Sequence, residues 1–267
     1  MKKRNLASTI VVLVFSMPFF YSCVTGSFTA DPYFVDDSRQ KENVYHAPAM
    51  QNVPLLSEKN DLSFSASLGY TSQHSGIDLH TAFVPAKNVG LLAGYRSYSQ
   101  KKHSEDGKIA SYEFGAGYIK DGKQFHFEAY GGVGGGSTTN HHHTGESKLT
   151  FSNFFVQPTI AVQNLTKTVQ FAFTSKFTHQ HFNIVDTSFT GEREPFVTSQ
   201  FRTIAENPNR IFWEPGIVLR TGWKNVLFNI GVSTLKDLSN PNFAMDRCNY
   251  FIGVVFRGNV GNKTKSK

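Results

Sequence analysis

The chain has 267 residues, a formal charge of +7, 25 Phe, 22 Gly and only two cysteines. Two cysteines exclude a disulfide framework and a cysteine-rich metal site. The mild basic surplus does not argue for nucleic acid as a partner.

The first predicted element is a secretory signal peptide over residues 1–22. Lys2, Lys3 and Arg4 form a basic n-region, Ile10 to Phe20 an apolar h-region, and small Ser22 precedes Cys23. The apolar run is too short to span a membrane as a helix. Removing these residues takes three basic and no acidic residues, so the charge falls from +7 to +4. Phe20-Tyr21-Ser22-Cys23 resembles the processing site of Bacteroidota lipoproteins, although the usual Leu is missing and a bulky Tyr precedes the Ser. The resemblance implies lipidation of Cys23. Cys248 would then stand alone, at the start of the last strand.

Residues 23–61 show no hydrophobic period. Asp31, Asp36, Asp37, Arg39, Lys41 and Glu42, with Pro32, Pro48 and Pro54, read as a lipid-anchored periplasmic tether. Within it stand Tyr45-His46-Ala47-Pro48 and Asn52-Val53-Pro54-Leu55-Leu56-Ser57-Glu58-Lys59. This stretch, just before the first strand, resembles a family of uncharacterised outer-membrane β-barrel proteins of the Bacteroidota. From the residues alone, it reads as a Pro-rich segment packing on a barrel mouth.

From Leu62 to Arg257 the chain alternates apolar and polar residues in short runs with no helical period, as in Leu62-Ser63-Phe64-Ser65-Ala66-Ser67-Leu68. Ten strands are predicted, over about 62–70, 76–84, 88–98, 109–120, 123–132, 149–163, 168–180, 211–222, 225–234 and 248–257. Counts of eight or twelve stay open, since 181–210 can hide a hairpin. Connections after the even-numbered strands are tight, such as Asp121-Gly122 and Trp223-Lys224, while most of the others are longer. This asymmetry predicts an all-β, antiparallel, up-and-down transmembrane β-barrel in the bacterial outer membrane, facing outer-membrane lipid. Both termini are expected in the periplasm, with a basic tail over 258–267.

The faces follow from the period of two. Tyr112, Phe114, Ala116 and Tyr118 should face lipid in the fourth strand, Phe125, Phe127 and Ala129 in the fifth, and Tyr250, Ile252, Val254 and Phe256 in the tenth. The inward set is then rich in charge: Asp78, His80, Arg96, Glu113, His126, Glu128, Lys176, Glu214, Arg220 and Arg257. Buried charges must be paired, so these predict a polar network that fixes the lumen. The competing reading is a polar site or path among Asp78, His80, Glu113, His126 and Glu128, with Glu113 and Glu128 as neighbours.

Other candidates are weaker. His141-His142-His143 reads as a solvated loop tip, because consecutive side chains diverge and cannot share one ion. His179 and His181 share a strand face, but no third metal ligand is identifiable. Asp186 with either histidine resembles the Asp and His pairing of ten-stranded outer-membrane proteases, with nothing else of that pattern present. Gly131 to Gly136 lacks the basic residue and strand-to-helix context of a phosphate loop, and is expected to end the fifth strand or to give flexibility to the loop that follows.

No cofactor or metal is expected. The chain reads as a non-enzymatic barrel that binds through long extracellular loops, or that docks on an envelope complex through the tether. The alternatives are a narrow outer-membrane pore and a lipid-tethered soluble β-barrel.

Overall fold

The computed structural model describes residues 45–46, 51–71, 74–102, 105–142, 145–188, 201, 203–239 and 248–261. The signal peptide, Cys23, His143 and most of the C-terminal tail lie outside the described residues. Ten strands close a barrel: β1 (Asp61–Thr71), β2 (Ser75–Ala86), β3 (Val89–Lys102), β4 (Glu105–Asp121), β5 (Phe125–His142), β6 (Gly145–Gln163), β7 (Val169–Thr187), β8 (Asn209–Gly222), β9 (Val226–Thr234) and β11 (Cys248–Asn259). Each pairs antiparallel with its neighbours, β9 joins β8 to β11, and β11 returns to β1. The two-residue β10 (Lys236–Asp237) continues beside β8 after the chain leaves β9. Closure removes the open edges that a flat sheet would present.

The side-chain pattern makes this barrel a membrane-spanning one. Phe64, Phe114, Phe154, Ile160, Phe228 and Ile252 stand outside, with Phe114 56% and Ile252 56% exposed. Ser63, Ser65, Ser67, Asp78, Arg96, Thr174 and Asn229 are buried inside. A soluble barrel would have these faces reversed, so that alternative is ruled out. In β4 the outward residues Lys108 and Lys120 bracket an outward set of Ala110, Tyr112, Phe114, Ala116 and Tyr118. The span between the two lysines is close to the roughly 9–11 tilted residues that cross a bilayer.

The turns at one end are tight. Asn88 takes a left-handed conformation, φ 63°, in the β2–β3 turn, which an Asn tolerates better than most residues. Asn164 Oδ1 accepts from the backbone N–H groups of Thr168 (2.8 Å) and Val169 (3.1 Å) to shape the β6–β7 turn. At the other end β4 to β7 run well past the apolar belt. Many of their outward residues there are polar, among them Ser137, Thr139, Lys148, Thr150 and His179, although Ile184 and Val185 are exposed as well.

Three expectations are corrected. Gly131 to Gly136 does not end a strand but lies in the middle of β5. Gly132 and Gly136 leave room for two interior rings: a Cβ on either would come within 2.7 Å of Phe155 or Phe151 and closer still to the β4 backbone. The region around His141 is not a free loop either, since β5 and β6 stay paired up to His142 and Gly145. Finally, Cys248 is not a lone thiol. It is disulfide-bonded, with a partner outside the described residues.

The largest correction concerns the tether. Tyr45, His46 and residues 51–56 are buried, with Val53 0% exposed. They lie inside the barrel rather than bridging an anchor and its outer wall. Val53 and Leu55 pack with Ala161, Ala172, Val218 and Phe251 of the wall, and Leu56 with Val84, Leu92, Ile119 and Tyr130. Each such apolar side chain contributes about 1.5–3 kcal/mol when fully buried.

Candidate functional site

The lumen is the site, and it is built around this threaded segment. Its contacts descend through the barrel in chain order. His46 lies 3.2 Å from Gln180 Oε1 and 3.3 Å from Glu214 Oε1, and stacks on Phe212 at 4.2 Å between ring centres. Gln51 Nε2 donates to the backbone carbonyl of Glu214. Asn52 Nδ2 donates to Ala93 O at 3.3 Å, and Gln157 Nε2 donates to Asn52 O at 2.6 Å. Pro54 O accepts from Arg257 Nη2 at 3.3 Å and Arg220 Nη1 at 3.5 Å, and Leu55 N donates to Glu128 Oε2 at 3.2 Å. Lys167 Nζ, in the β6–β7 turn, reaches Ser57 Oγ at 2.9 Å, and Asn60 N reaches Val84 O at 2.7 Å.

Many of these contacts go to the segment's main chain. An irregular segment inside a barrel, here with Leu55 left-handed at φ 50°, has no ladder partner of its own, and buried backbone groups left unpaired are costly. The wall supplies the partners from side chains: Gln157, Arg220, Arg257 and Glu128. Pro54 removes one donor that would otherwise need an acceptor.

The interior is layered. Towards the long-hairpin end, Tyr45, Ile109, Leu149, Phe151, Phe182, Ile204, Phe212 and Leu235 form an apolar cap. Charge is concentrated below it. Glu113 Oε1 takes Arg96 Nη2 at 3.0 Å and also Lys176 Nζ, whose ammonium lies 4.8 Å over the Phe155 ring. Arg96 Nε donates to Ser111 Oγ at 2.5 Å. Near the short turns His126 sits between Asp121 Oδ1 (3.0 Å) and Glu128 Oε2 (3.3 Å). Asp121 Oδ2 also takes Lys167 Nζ at 2.7 Å.

All ten inward candidates, Asp78, His80, Arg96, Glu113, His126, Glu128, Lys176, Glu214, Arg220 and Arg257, line this interior. Their hydrogen bonds gather them at several levels of the lumen. Asp78 accepts from Tyr98 OH, which Asn249 Nδ2 contacts at 3.2 Å. Glu214 is engaged by His46, and Arg220 and Arg257 by Pro54. Glu113 and Glu128 are not neighbours, because in the β4–β5 register Glu113 faces Gly134 while Glu128 faces Ile119. Six residues of β5 separate the two levels, about 20 Å at the strand rise. The five do not share one site: His80 and Glu113 flank Gly94 and line one small cavity with Arg96 and Ser111, whereas His126 and Glu128 lie near the short turns.

Outside the lumen, His141 Nε2 is 3.8 Å from both Asp106 Oδ1 and Glu146 Oε1, an exposed cluster at the β5–β6 tip. His181 Nδ1 lies 2.8 Å from Asn209 Oδ1. Asp186 stands opposite Lys148, five strand positions beyond His181, so the protease-like pairing does not form.

The residues that sequence reasoning placed elsewhere are His46, Gln51, Asn52, Pro54 and Leu55. Their stretch does stand out in the sequence, by its Pro and apolar content. What hid their place is the absence of any period, since an irregular threaded segment contacted by the wall on several sides carries none.

No family model matches the chain, and no curated protein matches it. Solved structures that resemble it include the N-terminal β-barrel domain of OprF from Pseudomonas aeruginosa, at 9% identity, 75% of this chain, 98% of that one and a TM-score of 0.37. The translocator domain of the autotransporter NalP from Neisseria meningitidis gives 10% identity, 74% and 87% coverage and 0.44. The attachment invasion locus protein Ail of Yersinia pestis gives 8%, 74%, 95% and 0.31. Likenesses at this level carry no argument about what this chain does.

Proposed function

We propose that this chain is a sealed, non-enzymatic outer-membrane β-barrel whose binding surface is the long-hairpin rim. The observation that supports it is the occupied lumen: residues 51–57 run through the barrel and are held by wall side chains on several sides. With the apolar cap above them, the interior serves as a scaffold and not as a passage. That leaves the projecting ends of β4 to β7 as the surface for a partner. In outer-membrane barrels short turns lie in the periplasm and longer loops outside, which puts this rim at the cell surface. A protein partner of the envelope would meet the rim, because the described part of the expected tether, Tyr45, His46 and residues 51–56, is buried inside the barrel.

The apolar belt holds the barrel among outer-membrane lipids without help from an anchor. A thioether lipid needs the Cys23 sulfur free, and in a chain with two cysteines the disulfide at Cys248 competes for that sulfur.

Single-channel recording of the purified full-length protein in planar bilayers tests the sealed lumen. The expected result is no stepwise conductance. Regular conductance steps would overturn the reading in favour of a narrow pore.

A further inference from the structure

The inner face of β3 lacks a side chain at Gly94. The register sets His80 of β2 on one side of this glycine and Glu113 of β4 on the other. All three positions face the lumen. With neighbouring strands about 4.8 Å apart, the two side chains start roughly 10 Å from each other. The gap between them is a niche in the wall, with a volume of about 10 Å³, lined by His80, Arg96, Ser111 and Glu113 over Gly94.

The groups around the niche have hydrogen bonds still to make. His80 is 8% exposed, and neither of its ring nitrogens has a hydrogen-bond partner among the described residues. A Cβ on Gly94 would come within 2.9 Å of His80 Nδ1, so this edge of the imidazole faces the glycine. Across the niche, Arg96 Nη2 and Lys176 Nζ both bond to Glu113 Oε1, which leaves Oε2 for another donor. Ser111 Oγ accepts from Arg96 Nε, and so keeps its own O–H to give.

Charge and size together select the occupant. A metal ion would meet the cations Arg96 and Lys176, and no group of described residues is arranged to hold one. An anion would meet the Glu113 carboxylate. An apolar guest would leave the imidazole unpaired in a buried site, which is costly. A cavity of this volume takes one water, and a buried water is held by two to four polar partners. Water donates twice and accepts twice. That suits an acceptor-only carboxylate oxygen, a hydroxyl donor and an imidazole nitrogen in either role.

We infer that the Gly94 niche is a binding site for a single water molecule, which joins His80 to Glu113 and ties β2 to β4 across the glycine. The Arg96–Glu113–Lys176 group then extends to His80 through this water, although the two side chains make no direct bond. Gly94 is the residue that makes room for it.

A crystal structure of the full-length protein in detergent, refined with nothing placed in the niche, tests this. The expected result is one difference-density peak within hydrogen-bond distance, about 2.7–3.2 Å, of both His80 Nδ1 and Glu113 Oε2. No peak at that point, or a peak whose height marks a heavier ion, overturns the inference.

A second measurement needs no crystal. Urea midpoints are compared for wild type, His80→Phe, Glu113→Gln and the double variant, each assembled in micelles. Side chains this far apart that share no partner lose stability additively, whereas a shared partner makes the losses interdependent. The double variant is expected to lose less than the sum of the two single losses. Additive losses overturn the water bridge.

Discussion

The backbone N–H of Leu55 donates to Glu128 Oε2 across 3.2 Å, so a wall carboxylate grips the threaded segment by its main chain. The same oxygen lies 3.3 Å from His126 Nε2. Glu128→Ala would leave both groups without this acceptor in a buried site. An unsatisfied buried group costs about 1–3 kcal/mol, and a loss in that range is expected in the urea midpoint of the assembled protein in micelles. Glu128→Gln keeps an oxygen for Leu55 and should lose less. Equal losses in the two variants would mean that the contact to Leu55 carries no weight.

Glu113 meets two cations, Arg96 and Lys176. Glu113→Gln leaves both in the lumen without their carboxylate, and removing one partner of a buried pair costs about 3–5 kcal/mol. Adding Lys176→Met removes one stranded charge and sets a thioether over the Phe155 ring, a favourable contact. The double variant is expected to be more stable than Glu113→Gln alone, by the same urea titration. If it is less stable, the charges are solvated and the lumen is wetter than its burial indicates.

Neighbouring glycines in β5 should differ sharply. A Cβ at Gly132 would lie 2.1 Å from Phe114 O and 2.7 Å from the Phe155 ring, whereas at Gly131 the nearest atom is 3.7 Å away. Gly132→Ala must push a strand aside, an overpacking cost of about 1–3 kcal/mol, while Gly131→Ala is expected to be near neutral. Thermal loss of the fast-migrating folded band on gels compares them directly.

Asp121 ends β4 at the short-turn rim, beyond outward Lys120 and so outside the apolar belt. Partial burial raises its pKa, but hydrogen bonds from Lys167 and His126 outweigh this and hold it below the usual carboxylate range. A depressed folded pKa adds stability above the unfolded value, about 3.9, and that stability is lost as pH falls through the folded one. The side chain lies at the rim with 19% of its surface still exposed, so solvent screening should keep the effect to about 1 kcal/mol. The wild-type advantage over Asp121→Asn is expected to be constant from neutral pH to about pH 5 and to shrink in stronger acid. An advantage that persists unchanged at the acid end would show that charge is not its source.

The wall was legible in the sequence because a strand's side chains alternate strictly. Once Phe114 faces lipid, Glu113 must face the lumen, and no tertiary information is needed to say so. The alternation of Leu62 to Leu68, the tight turn at Asp121-Gly122 and the spacing of ten such runs determined a membrane-spanning barrel with a charged interior. Register was not legible, since sliding one strand by two residues keeps every face correct. Only the closed barrel decided that Glu113 meets Arg96 and Lys176 while Glu128 lies near the short turns with His126. It likewise decided the place of Asn52 to Ser57: this irregular threaded segment has no period, because wall residues surround it and almost no face is left for solvent. Its partners come from β2, β3, β5, β6, β8 and β11, which meet around one axis only when the sheet is closed.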